Sequence, residues 1–201
     1  MKHLSKIAAL IIICFSCQNS TKTFTTDEIS IVPKPVELSL DEGSFSFSKN
    51  TSILIEKETQ KPAAKYLSDL FENAVGYTIP FSKTEKNATI LLLNDKNLKP
   101  EAYHLAVTPN NITIKASDAA GYFYGVQTIR QLLSSNIEKT DNLKQDWIIP
   151  SIVINDYPRF SWRGMQMDFS RHFFSIEEVK TFLDYMALYK LNTYHMHLTD
   201  D

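Results

Sequence analysis

The chain has 201 residues, a formal net charge of −2 and 22% charged residues. Its lysines and arginines do not cluster, which excludes a nucleic-acid-binding surface. Both cysteines, Cys14 and Cys17, lie near the start, so structural disulfides and cysteine-based metal sites are excluded from everything after them.

Met1-Lys2-His3-Leu4-Ser5-Lys6 carries two lysines, and Ile7 to Phe15 is almost wholly apolar. A charged start before a hydrophobic core too short to span a bilayer reads as a secretory signal over residues 1–17. Cys17 follows Ser16 and precedes Gln18-Asn19-Ser20-Thr21. This resembles a bacterial lipoprotein signal, in which Cys17 becomes the lipid-carrying first residue. The expectation is an exported protein anchored to a membrane through that lipid, in the periplasm or at the cell surface of a bacterium. The alternative is an ordinary cleaved signal with an incidental cysteine.

Residues 18–28 read as a polar linker, and residues 29–150 as an α+β domain. Phe45-Ser46-Phe47 and Ser52 to Ile55 are short strand candidates. Pro62 to Asn73 is a helix with proline in its first turn and Ala63, Leu67, Leu70 and Phe71 on one face, ended by Gly76. Ala88 to Leu93 is an apolar run suited to a buried strand. Tyr103 to Val107 and Ile112 to Ala116 alternate around Pro109-Asn110-Asn111, a hairpin signal. Asp118 caps a following helix that runs through Leu133, and Ser134 to Trp147 reads as a polar loop.

Residues 151–201 read differently. Trp162 to Phe174 is a strand running into a polar and aromatic loop, and Ser175-Ile176-Glu177-Glu178 is a capping box. Ile176, Val179, Phe182, Leu183, Met186 and Ala187 recur at helical spacing and are expected to pack on the strands. Asn192 to Asp201 is the next strand and its tip. Strand, helix and strand form a βαβ unit, the opening of a (β/α)₈ barrel. A closed barrel takes about 250 residues, so this stretch is expected to stop after the second strand, leaving an unpaired edge and an uncovered apolar face. Arg171 and Asp200 fall at the C-terminal tips of consecutive strands, where such barrels keep their active sites.

The blocks Arg163-Gly164, Ser170-Arg171-His172-Phe173-Phe174 and His195-Met196-His197-Leu198-Thr199-Asp200-Asp201 closely resemble the start of the catalytic barrel of glycoside hydrolase family 20. Upstream, Glu101 to Leu105 and Ile112 to Leu132 are similar to that family's non-catalytic N-terminal domain. The resemblance covers about Ile29 to Asp201 and implies a β-N-acetylhexosaminidase, which removes terminal N-acetylhexosamine from glycans without a cofactor. It implies that Arg171 hydrogen-bonds the 3- and 4-hydroxyls of the terminal sugar, which a planar guanidinium can grip together. Asp200 matches an active-site aspartate supporting a histidine absent from this chain, and Asp168 positions Arg171 or its loop.

In the implied mechanism the substrate's own acetamido oxygen attacks the anomeric carbon. Family 20 is one of the known exceptions to the two-carboxylate scheme. A Glu serves as general acid/base and the preceding Asp orients the acetamido group, but no Asp-Glu pair here matches them. Asp27-Glu28 and Asp41-Glu42 lie in polar N-terminal segments, and Glu177-Glu178 opens a helix. The expectation is therefore that the chain is inactive alone. Two other readings stand beside this one: a non-catalytic carbohydrate-binding or docking fragment, and a metal-dependent amidohydrolase-type barrel built on His195 and His197. These two histidines share one side of a strand, but no Asp/His set completes four ligands, so packed histidines bonded within the sheet are the favoured reading. His172 is read as structural.

Overall fold

The computed structural model describes residues 24–140 and 144–200. Cys17 and the signal segment lie outside the described residues, as does Asp201.

A mixed sheet is built from β1 (Glu37–Phe47), β2 (Ile53–Ile55), β3 (Phe81–Ser82), β4 (Ile90–Asn94), β5 (Tyr103–Val107), β6 (Ile112–Ala116) and β7 (Trp147–Asp156). Their spatial order is β1-β7-β5-β6-β4-β2-β3. Pairing is antiparallel from β1 to β6 and parallel from β6 to β3. Along the β5–β6 hairpin, Tyr103, Leu105, Val107, Ile112, Ile114 and Ala116 point into the core and alternate with half-buried residues. The period-2 pattern visible in the sequence thus sets which face is covered.

Two helices, α1 (Lys61–Val75) and α2 (Ala119–Leu132), supply that cover. Pro62 sits in the first turn of α1, and Gly76 ends it with φ 77, a left-handed conformation that glycine adopts without steric cost. Asp118 caps α2, its side chain accepting from the Gly121 N–H at 2.8 Å. Phe71 of α1 is fully buried, stacking on Phe47 at 4.7 Å and meeting Trp147 edge-on at 6.2 Å. Helices packed on this mixed sheet make an α+β domain.

The start of α2 lies unusually close to the sheet. A Cβ on Gly121 would stand 2.4 Å from the Ala102 carbonyl oxygen and 2.9 Å from the Ala116 Cβ. Gly121→Ala gains about 1 kcal/mol of helix propensity but forces a backbone shift that costs about 1–3 kcal/mol. The clash is with backbone, which cannot swing away, so the expected net result is a lower urea midpoint. A midpoint equal to or above the native value would contradict the close packing.

The sequence reading leaves out β7 and the two-residue β3. The expected domain boundary, between residues 150 and 151, falls inside β7, and the strand continues to Asp156 between β1 and β5. Pro150 normally argues against an interior strand. Here it lies beyond the last β5 partner, Ile152, and faces Ser44 beside the bulge that breaks the β1 ladder between Leu40 and Ser44.

The remaining elements, β8 (Gly164–Asp168), α3 (Ile176–Leu188) and β9 (Thr193–His197), form one βαβ unit with β8 and β9 parallel. The Ser175–Glu178 capping box is formed, with the Ser175 N–H donating to the Glu178 carboxylate at 2.7 Å. Of the helix residues expected to pack on the strands, only Met186 is buried, while Ile176 is 72% exposed. The reason is width: two strands about 4.8 Å apart cannot cover a helix about 10 Å across. Phe173 and Leu198 are also exposed.

Candidate functional site

The parallel register sets Asp168 beside His197 at the C-terminal end of the small sheet. That pairing gathers Asp168, Ser170, Arg171, His197 and Asp200 into one cluster. One Asp168 oxygen accepts from the backbone N–H groups of Ser170 and Arg171 at 3.0 and 3.1 Å. The other meets the Arg171 guanidinium at 2.5 Å. One carboxylate thus folds the loop back and aims its arginine.

The same guanidinium reaches Asp200 at 3.5 Å. Asp200 in turn accepts from the Ser170 hydroxyl at 3.1 Å and pairs with the His197 Nε2 at 2.7 Å. The hydrogen bond from Arg171 holds the Asp168 carboxyl below the usual aspartate range, so it stays ionised and keeps its grip at neutral pH. Arg171 remains 71% exposed. A guanidinium has five N–H donors; one terminal nitrogen of Arg171 faces Asp168 and the other Asp200.

Every residue the sequence singled out among those described therefore has a definite position. Asp168, Arg171 and Asp200 come together. His197 joins them, its carbonyl also accepting from Phe169 N–H at 2.8 Å. His195 stands apart, exposed, with its ring edge-on to that of His197 at 6.4 Å. His172 packs its ring against Phe174 at 5.2 Å. Among the described residues there is no group of three or more His, Cys, Asp or Glu able to hold a metal ion. Sequence reasoning missed Ser170 and the His197–Asp200 pair. The signal for both was present: Asp200 lies three residues beyond His197, and Ser170 precedes the arginine in the same loop.

Residues 28–157 match the family described as "Glycosyl hydrolase family 20, domain 2". Residues 160–201 match "Glycosyl hydrolase family 20, catalytic domain". The chain is 34% identical over 177 residues to a beta-hexosaminidase of Porphyromonas gingivalis, covering 86% of this chain and 23% of that protein. Among solved structures, it is similar to a mutant Streptomyces plicatus beta-hexosaminidase in complex with product (GlcNAc). The TM-score there is 0.80 and the identity 36%, over 85% of this chain and 34% of that one. An exo beta-N-acetylglucosaminidase from Vibrio harveyi, in complex with N-acetylglucosamine, matches with a TM-score of 0.75 and 32% identity, over 85% of this chain and 26% of that one. The chain thus spans about a third or less of the length of these relatives. With both family domains matched in order, and the α+β sheet followed by the first βαβ unit of the barrel, the chain belongs to glycosyl hydrolase family 20.

Proposed function

We propose that this chain is part of a β-N-acetylhexosaminidase, which removes terminal β-linked N-acetylhexosamine from glycans by substrate-assisted retaining hydrolysis. The observation that carries the reading is the cluster of Asp168, Arg171 and Asp200 at the ends of adjacent parallel strands. In it, Asp168 fixes the loop, and Arg171 presents a planar donor face to two neighbouring sugar hydroxyls. Asp200, bonded to Ser170, Arg171 and His197, keeps the arginine and the two strand tips in one arrangement. Positioning of this kind shares binding energy with the reacting centre.

The residues present bind and orient. None of the carboxylates in the cluster is placed to act as the general acid. Such a group works from a partly desolvated site with a raised pKa, whereas the half-buried Asp168 is engaged by Arg171 and the loop backbone and its pKa is lowered. Hydrolysis of a chromogenic N-acetyl-β-glucosaminide by this chain, beside a form extended through the complete reading frame, tests the reading. Activity only in the extended form is the expected outcome. Activity in the 201-residue chain would mean that a carboxylate described here performs the proton transfer.

The same reading includes export and anchoring through Cys17. Its support is the short apolar segment ending at Ser16-Cys17, too short to cross a bilayer, and no helix among the described residues is long and apolar enough to do so. Metabolic labelling with a fatty acid is expected to mark the native protein, and Cys17→Ala to abolish the label. A label retained in Cys17→Ala would refute the anchor.

A further inference from the structure

The two units of this chain meet through polar side chains, and their complementary charges are sorted by side. In the two ion pairs that join the units, the first domain contributes the carboxylate and the barrel unit the cation. Glu101, just before β5, receives both Arg163 guanidinium nitrogens at 3.0 and 3.2 Å. It also accepts from the Asn192 side chain at 3.2 Å. The Tyr124 hydroxyl of α2 donates to Glu101 at 3.0 Å and accepts from Arg163 at 2.8 Å. A second point of attachment is deeper. Lys190 is 5% exposed and reaches the Tyr103 hydroxyl at 2.9 Å and Asp156, at the end of β7, at 3.2 Å.

Apolar contact between the units is comparatively open. The facing surfaces of α2 and α3 leave a cleft of about 410 Å³, lined by Ala120 and Phe123 on one side and Leu183 and Met186 on the other. Backbone conformation points to the same place. Glu101 (φ 63) and Lys190 (φ 59) are the two non-glycine residues with left-handed backbone among the described residues. L residues stay in that conformation when their surroundings over-determine it, and such positions collect at functional constraints. Each of these two anchors one of the polar attachments.

We propose that Glu101 and Asp156 form a charge-sorted latch that docks the first barrel strand and the turn after α3 onto the N-terminal domain, which thereby acts as the assembly platform for the barrel. Arg163 is the key of the latch. Besides Glu101 and Tyr124, its guanidinium donates to the Phe160 carbonyl at 2.7 Å and the Lys190 carbonyl at 2.9 Å, so one side chain binds both domains and both attachments. Burial and the bond to Glu101 push the Tyr124 hydroxyl up to about 12, and Arg163 holds Glu101 below the usual glutamate range. The protonation states that the hydrogen bonds require are thus held across neutral pH.

Hydrogen exchange on the full chain, read strand by strand, tests the latch. Glu101→Gln keeps the shape and removes the charge. Tyr124→Phe removes one hydroxyl from the same cluster without disturbing α2. Each is expected to speed amide exchange of 164–168 and 193–197 by about 10- to 100-fold, the equivalent of losing a hydrogen bond to a charged group. Exchange in β4, β5 and β6 stays at its native rate, and the double variant shows less than the product of the two single effects. Unchanged exchange in β8 and β9 would overturn the proposal, as would acceleration spread equally over both units. Should Glu101→Gln fail to fold, Tyr124→Phe decides the matter by the same two criteria.

Discussion

Arg171→Ala, in the protein carried through its complete reading frame, is expected to lower kcat/KM toward a chromogenic N-acetyl-β-glucosaminide by about 10²- to 10⁴-fold. On the proposed reading, two charge-assisted hydrogen bonds to neighbouring hydroxyls are lost, each worth about 1.5–3 kcal/mol. Each 1.36 kcal/mol of lost transition-state binding is about a tenfold loss in rate. Arg171→Lys keeps the charge and loses the planar fork, so it recovers only part of the deficit. Thermal stability should barely move. Arg171 is 71% exposed, and exposed ion pairs contribute about 0–1 kcal/mol. Activity lost without stability lost separates a sugar-binding arginine from a structural one. A variant with native kcat/KM would remove Arg171 from the site.

The largest stability effect is expected at Asp156. Its carboxylate accepts from the Tyr103 hydroxyl at 2.9 Å and from the Val36 N–H at 3.3 Å, and faces Lys190 at 3.2 Å. Asp156→Ala leaves the Lys190 ammonium buried without its counter-charge, a change that costs about 3–5 kcal/mol. The urea midpoint at neutral pH reports it. The pH dependence has a defined sign. Burial lowers the Lys190 pKa in the folded chain from its ordinary 10.5, so between the lowered value and 10.5 the unfolded chain holds more of the proton and stability rises with pH. Tyr103, raised well above 10.0 chiefly by burial, reverses the trend once unfolded tyrosine begins to ionise. The deficit of Asp156→Ala is therefore expected to shrink between neutral pH and about pH 10. A deficit that stays constant over that window would show that Lys190 keeps its charge without Asp156.

Local signals carried much of this fold. The β5–β6 hairpin, the capped starts of α2 and α3 and the glycine that ends α1 are written in contiguous residues. Alternation, Asp118, Ser175 with Glu178, and Gly76 each act on neighbours within a few positions. The tips of β8 and β9 were legible for the same reason. The strand–helix–strand order implies parallel pairing, which puts Arg171 and Asp200 at one end of the small sheet.

What the sequence did not disclose depends on residues far apart along the chain. β7 is recognisable as a strand only when β1 and β5 stand on either side of it, because the Pro150-Ser151 break in its apolar run fits an interior strand solely beside the β1 bulge. Glu101 and Arg163, or Asp156 and Lys190, look like ordinary surface charges in the sequence. They become partners when the chain returns to the same junction after tens of residues. The packing of α3 shows the converse. Its apolar stripe sets which side of the helix seeks cover, but two strands cannot provide enough width, so only Met186 is buried while Ile176 and Leu183 stay exposed. The sequence by itself determined the family, the local elements and the residues at the strand tips, since those follow from short-range pattern and chemistry. Tertiary structure alone decided the interior strand β7 and the charge-sorted junction, because burial and electrostatic pairing are properties of residues brought together in space.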